Sequence, residues 1–434
     1  MGFLLFILLN ATLFIRPAEI VSGLEGAPIY QCIILCCLAV AFPRVFELFS
    51  REAVVSRPIN VCVVCVWVAV VVSHLARLNT FDARETGFEF GKVILYFLLV
   101  VALVDTPARL RELLLWLAAF ITILAAIAVL HYHGHIEIPS LTILEEREWN
   151  SETHEFEITP RLRSTGIFND PNDLSLILGV GILISLYFAG EKSRGPVRFI
   201  WLAPVVLFGY TLVLTKSRGG LLGIGTGLLI LSYARYGWRK TAAVAMLAVP
   251  LLLAAGGRQT NFNIDKTDTG QQRVQFWAEG VLLFKQSPLF GIGAAQFVEE
   301  VRHVAHNSFV QAYVELGFLG GTVFVGGYYC AVQGLRRLRF IPAGYVDPEL
   351  ARMRPYLMAM ILGYVVGMLS LSVNYVQPTY LPLALASIYI RLNEEETGIQ
   401  TLRLDGRLVK RLVLVSILCV VTMYISIRLM SRWE

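Results

Sequence analysis

Apolar stretches close to 20 residues long recur along the whole of this 434-residue chain, and that recurrence constrains its fold more than any motif does. About 20 residues of helix cover the roughly 30 Å of hydrocarbon in a bilayer. A backbone amide in hydrocarbon finds no water, so each stretch must close its own hydrogen bonds as a helix. Thirteen candidate spans result: 2–15, 27–43, 59–76, 91–104, 112–131, 173–190, 199–214, 220–234, 241–255, 308–331, 355–372, 376–391 and 412–430. The expected fold class is all-α, a polytopic transmembrane helical protein of about 12–13 spans in a single integral membrane domain, 1–434.

Composition excludes the main competitor. Hydrophobic residues make up 56% and charged residues 16% of the chain, against roughly 25% charged in a soluble domain. The mean hydropathy is +0.64. Lys plus Arg is 37 against 32 Asp plus Glu, a small excess that carries no nucleic-acid signature. The seven cysteines all lie in apolar stretches. Cys62 and Cys65 form a C-x-x-C inside a Val-rich span with no histidine or carboxylate beside it, and read as packing residues. The first run, Gly2 to Ile15, lacks a basic leading region and reads as a first helix rather than a signal peptide.

The placement of cations sets an orientation. Connections 44–58, 105–111, 191–198, 235–240, 332–354 and 391–411 hold more than half of the 37 basic residues, mostly near span ends. The positive-inside bias assigns these connections to the cytoplasm. The N-terminus is then cytoplasmic, and the two long connections, 132–172 and 256–307, are external. Structureless loops beyond about 12–15 residues are uncommon, so both are expected to contain short helices. Glu145, Glu146 and Glu148 are interrupted by Arg147 and read as a solvated face; no metal or cofactor is called for.

The candidate functional residues gather on that external face. The first long loop ends Arg161-Leu-Arg163-Ser-Thr-Gly-Ile-Phe-Asn-Asp170-Pro171-Asn172. Asp170 or Asn172 can cap the next helix and Pro171 suits its first turn, but capping leaves the arginines unexplained, and Arg163 is a candidate anion ligand. The turn Thr215-Lys216-Ser-Arg218-Gly-Gly220 places two cations against the charge bias. They either snorkel or grip an anion, with glycines allowing close approach. Arg273 and Trp277 share a helix face at i,i+4, as an anion fork beside an interfacial wall or as a solvated cation and a lipid anchor. Before the span at Ser308 come His303, His306 and Asn307. Asn307 can cap the helix, and a histidine there suits proton transfer near neutrality. Glu315, a carboxylate inside a span, is a further candidate. Together these groups fit an anionic diphosphate held by arginines, with one histidine as base.

From Arg273 through Trp277 to Pro288-Leu-Phe-Gly291-Ile-Gly293, and on through His306-Asn307-Ser-Phe-Val-Gln311-Ala-Tyr-Val-Glu315-Leu-Gly317-Phe-Leu-Gly320, the chain resembles the O-antigen ligase and polymerase family. The turn from Thr215 to Gly220 is similar to that family's Ser-Arg-Gly turn, and Gly166 to Asn172 to its Gly-x-x-x-x-Pro-Asn element. The resemblance covers about 160–320. It implies a metal-independent, cofactor-free glycosyltransferase of the bacterial inner membrane with a periplasmic active site. The implied donor is a glycan on undecaprenyl diphosphate. His306 falls on the catalytic base, and Arg218, Arg273 and Arg163 on diphosphate ligands; Lys216, Trp277, His303, Asn307 and Glu315 stand as supporting residues. Departures are the extra charge of Lys216, the rival base His303 and an odd span count. In a ligase the acceptor hydroxyl belongs to lipid A-core, protein or another molecule; in a polymerase of O-antigen or exopolysaccharide it belongs to a lipid-linked repeat. A transporter of lipid-linked sugars is the competing class. It calls for midplane charges and inverted repeats, whereas the middle spans carry few charges besides Glu315 and no repeat is visible.

Overall fold

The computed structural model describes residues 1–21, 23–24, 26–150, 155–255, 269–341 and 347–430, with the side chains of 147–150, 155–157, 247–255 and 269–270 left aside. The opening of the second long connection, 256–268, and residues 342–346 of the connection 332–354 therefore lie outside the described residues.

Helices dominate. In chain order they are α1 (Gly2–Ile15), α2 (Pro17–Ile20), α3 (Ile29–Glu47), α4 (Arg51–Ser56), α5 (Pro58–Leu75), α6 (Thr80–Leu103), α7 (Pro107–Tyr132), α8 (Pro171–Ala189), α9 (Leu202–Thr215), α10 (Arg218–Ala255), α11 (Thr269–Gln286), α12 (Phe297–Val301), α13 (Ser308–Leu338), α14 (Pro348–Gly367), α15 (Gln377–Thr397) and α16 (Gly406–Met430). Among the described residues, ten helical stretches are long and apolar enough to cross a membrane. The chain is a multi-pass helical membrane protein.

Three of the thirteen expected spans fall outside those ten. Two of them, 220–234 and 241–255, are the halves of α10, which breaks at Gly237 (φ 77°) within the expected connection 235–240. The third is α15, which carries Arg391, Asn393 and Glu394 to Glu396. Its residues from Pro378 to Ile390 are buried, packed on α5, α6 and α13. A helix shielded by protein tolerates polarity that a lipid-facing one does not.

The segment 132–172 departs from the expected short helices. It holds an antiparallel strand pair, β1 (Leu144–Asn150) and β2 (Glu155–Arg161), with Leu144 opposite Arg161 and Asn150 opposite Glu155. A 3-10 turn follows at Gly166–Phe168. The alternation of charged with apolar residues in Glu155-Phe-Glu-Ile158 has the period of two that a strand requires. The segment 256–307 holds α11 and α12.

The chain divides into two compact units. In the first (1–41, 108–261 and 362–367), α8 packs against α9 and α10. The Phe14 and Phe168 rings meet tilted, with centroids 5.5 Å apart, and Arg111 pairs with Glu191 at 2.7 Å. Glycines bring 362–367 onto the start of α10: a Cβ on Gly223 would stand 2.9 Å from the Gly363 carbonyl oxygen. Small residues allow this backbone approach where apolar attraction between helices is weak.

In the second unit (42–107, 262–361 and 368–434), α13 is the hub, packed on α5, α11, α15 and α16. It breaks at Gly317 (φ 69°, ψ −171°). The extended segment Pro288 to Gly293 docks into that break. Ile292 and Gly293 N–H donate to the carbonyls of Val314 and Glu315, each at 3.0 Å, while Phe318 N–H donates to Pro288 O at 2.7 Å and Leu319 N–H to Leu289 O at 3.2 Å. The broken helix thereby recovers partners for its exposed amides.

The two glycines at this junction have no room for a side chain. A Cβ on Gly291 (φ +78°) would sit 2.2 Å from the Glu315 carbonyl oxygen, and one on Gly317 (φ +69°) 2.4 Å from the Leu289 backbone. Gly291→Ala and Gly317→Ala are each expected to cost about 3 kcal/mol or more through clash and strain. The expected readout is a large fall in melting temperature and monodisperse yield of detergent-purified protein. Gly209→Ala, in open space on α9, is the control and should melt like the wild type.

Candidate functional site

The first unit presents its cations where α10 begins. Lys216 ends α9 in the left-handed region (φ 51°), which turns the chain sharply into Ser217. The Ser217 hydroxyl caps α10, accepting from Gly220 N–H at 3.2 Å, and accepts in turn from the Ser175 hydroxyl at 3.1 Å. Arg218 is the first residue of the helix, and both cations are half-buried. Their turn is clamped from outside by Arg161, only 8% exposed. The Arg161 guanidinium donates to Thr215 O at 2.9 Å, to Asn172 Oδ1 at 3.0 Å and to Glu146 Oε2 at 3.0 Å. Leu162 N–H adds a bond to Leu214 O at 3.0 Å.

Arg161 is the residue that sequence reasoning passed over in favour of Arg163. Arg163 donates instead to the carbonyl and hydroxyl oxygens of Thr142. Nothing in the Arg-Leu-Arg pattern separates the two, because the partners of Arg161 lie 11, 15 and 54 residues away and that of Arg163 lies 21 away. Asp170 is the helix cap in this element: its Oδ1 accepts from Asn172 N–H at 2.7 Å and Asp173 N–H at 3.4 Å, which frees the Asn172 side chain for Arg161.

The second unit holds Arg273, Trp277, His303, His306, Asn307 and Glu315. His306 takes a left-handed backbone (φ 48°), uncommon for a residue with a side chain, and is held on both sides. Upstream, Trp277 Nε1–H of α11 donates to Ala305 O at 2.6 Å. Downstream, Asn307 caps α13, its Oδ1 accepting from Phe309 and Val310 N–H at 3.0 and 3.1 Å. The Ser308 hydroxyl donates to Leu371 O at 2.7 Å and accepts from Val373 N–H at 3.0 Å, and Asn374 Nδ2 donates to Ser308 O at 2.7 Å. The His306 ring is half-buried. His303, the rival base, is exposed and lies flat on Phe276 with ring centroids 4.1 Å apart. Arg273 lies in the first turns of α11, half-buried, one turn before Trp277.

Glu315 ties this region together. Its carboxylate is 0% exposed. Oε1 accepts from Phe297 N–H at 3.1 Å; the Gln311 amide donates to both oxygens at 3.1 and 3.2 Å; Tyr375 O–H donates to Oε2 at 2.6 Å. Burial, then the neighbouring carboxylate, pushes the Tyr375 phenol well above its ordinary range, so it remains a donor. Ala294 is fixed alongside: its N–H donates to Ser73 Oγ at 3.2 Å, and its carbonyl faces His74 Nε2 at 3.1 Å. The sequence shows Glu315 as an intramembrane carboxylate and Asn374 as a polar interruption, but Ser73, His74 and Tyr375 carry no local signal of their roles.

Hydrogen bonds to charged groups are worth about 1.5–3 kcal/mol each. Glu315→Ala, which strands three donors, should therefore lower the melting temperature more than Tyr375→Phe, which removes one; equal shifts would overturn the tie. In the first unit, Arg161→Ala, which removes a buried guanidinium bonded to Thr215, Asn172 and Glu146, should lose about 3 kcal/mol or more, and more than Arg163→Ala, which removes a half-buried guanidinium bonded to Thr142. Thermal melts of the two purified variants check that order.

Comparison with known proteins bears on one part of the chain. No curated protein matches it. A family model described as O-antigen ligase matches residues 203–325, a stretch that contains Lys216, Arg218, Arg273, Trp277, His303, His306, Asn307 and Glu315 and excludes Arg163.

Proposed function

We propose that the protein is an inverting, metal-independent glycosyltransferase of the O-antigen ligase type. It moves a glycan from undecaprenyl diphosphate to an acceptor hydroxyl at the periplasmic face of the inner membrane. The observation that carries this reading is His306. It is a half-buried histidine at the mouth of α13, held in a left-handed backbone between the Trp277–Ala305 and Asn307–Ser308 locks, inside the stretch that resembles O-antigen ligase. Non-glycine residues held in that conformation cluster at functional sites.

In this reading the His306 imidazole takes the proton from the acceptor O–H as that oxygen attacks C1 of the reducing-end sugar. The bond from C1 to the diphosphate oxygen breaks with inversion, and its electron pair leaves on undecaprenyl diphosphate. Arg218 in the first unit and Arg273 in the second are each proposed as a diphosphate ligand, because guanidinium forks match phosphate oxygens and offset the charge that develops. The placement of Lys216 and Arg218 supports the role. Cations at a helix N-terminus oppose the helix dipole, an arrangement that is favourable once an anion sits there. Asn307 and Trp277 position His306, and Glu315 holds the break in α13.

The test is transfer by purified protein in lipid, supplied with an undecaprenyl-diphosphate oligosaccharide and either lipid A-core, protein or a second lipid-linked repeat. Product on lipid A-core or protein identifies a ligase; a longer lipid-linked chain identifies a polymerase. His306→Ala should lower turnover by about 10²–10⁴-fold with donor binding unchanged, and full turnover in that variant would exclude His306 as the base. Arg218→Ala and Arg273→Ala should each lower turnover by about 10²–10³-fold and weaken donor binding, so unchanged donor affinity in both would remove the diphosphate role.

A further inference from the structure

A cavity of about 340 Å³ opens between α11 and the last turns of α16. Its floor is apolar, with Ala278, Val281 and Ile427 each 8% exposed or less. Its rim carries Lys285, Tyr424 and Arg428. Lys285 Nζ stands 5.2 Å from the Tyr424 ring centroid, which steadies one cation at the mouth. Among the described residues, none that lines the cavity is acidic.

The cavity stands at the end of a stripe. α16 is 25 residues long and apolar enough to cross a membrane, and Arg428 lies in its last turn. Leu414, Leu418, Val421 and Ile425 precede Arg428 at alternating steps of four and three, on one helix face, and all four are exposed, by 57%, 57%, 47% and 50%. An exposed apolar track that ends at two cations and a tyrosine has the profile of a lipid: chains beside the helix, a negative headgroup at its end. Cations that merely snorkelled would need neither the cavity nor the aromatic rim.

We infer that this cavity binds an anionic glycerophospholipid, with its phosphate between Lys285 and Arg428 and its acyl chains along the face from Leu414 to Ile425. The binding stands apart from any reaction of the protein. Its consequence rests on the proposed function: the lipid braces α11, the helix that carries Arg273 and Trp277, so donor handling depends on the surrounding lipid.

Native mass spectrometry of the purified full-length protein tests the site, with phosphatidylglycerol, phosphatidylcholine of the same chains, and glycerol 3-phosphate as probes. Phosphatidylglycerol should be retained about tenfold or more over phosphatidylcholine, and the Lys285→Gln/Arg428→Gln variant should lose that preference. Equal retention of the two lipids by the wild-type protein overturns the inference without any variant, as does full preference in the double variant. Retention of glycerol 3-phosphate at the same concentration as phosphatidylglycerol would make this a free-phosphate site and overturn it too. Because the readout is retention, its failure leaves the transferase reading standing, and a protein inactive in transfer still reports on the lipid.

Discussion

A backbone amide that faces neither water nor a partner is too costly to leave inside an apolar core, and α13 meets that constraint in an unusual way. The helix interrupts itself at Gly317, and the extended segment Pro288 to Gly293 supplies the missing partners. The rest of the second unit follows from this docking. It fixes where Ala294 and Phe297 lie, and thus what Ser73, His74 and the Glu315 carboxylate can reach. It also explains why glycines stand at 291 and 317, where even a methyl group would overlap backbone.

The candidate chemical groups lie at helix starts, one in each unit. His306 precedes the capped start of α13, and Arg218 begins α10 behind a serine cap and a buried arginine clamp. Both use one device: a polar residue satisfies the first amides of a helix, and a left-handed residue just before it turns the chain. Rigid helix ends hold side chains more closely than free loops do. Side chains presented this way have less conformational freedom left to lose.

Much of the helical framework was legible from hydropathy, because burial in lipid acts on each segment separately. The cap of Asn307 was legible for a similar reason, and that before α8 to within Asp170 or Asn172, since caps act within three residues. The strand pair at 144–161 was not, because its pairing joins residues that hydropathy cannot connect. The shielding of α15 was equally invisible, since whether a polar face meets lipid or protein depends on its neighbours. Arg161 and Arg163 differ only in partners far along the chain, and reading them as a local pair selected the one held by a loop threonine.

The sequence by itself determined that this chain crosses a membrane many times, and which cations and histidines stand at helix ends. Both are local consequences of transfer energy and capping. The tertiary structure decided which distant groups tie the helices to one another. Tyr375 reaches Glu315 across 60 residues and His74 reaches Ala294 across 220, and such pairs form only when helices distant in the chain pack and exclude water between them.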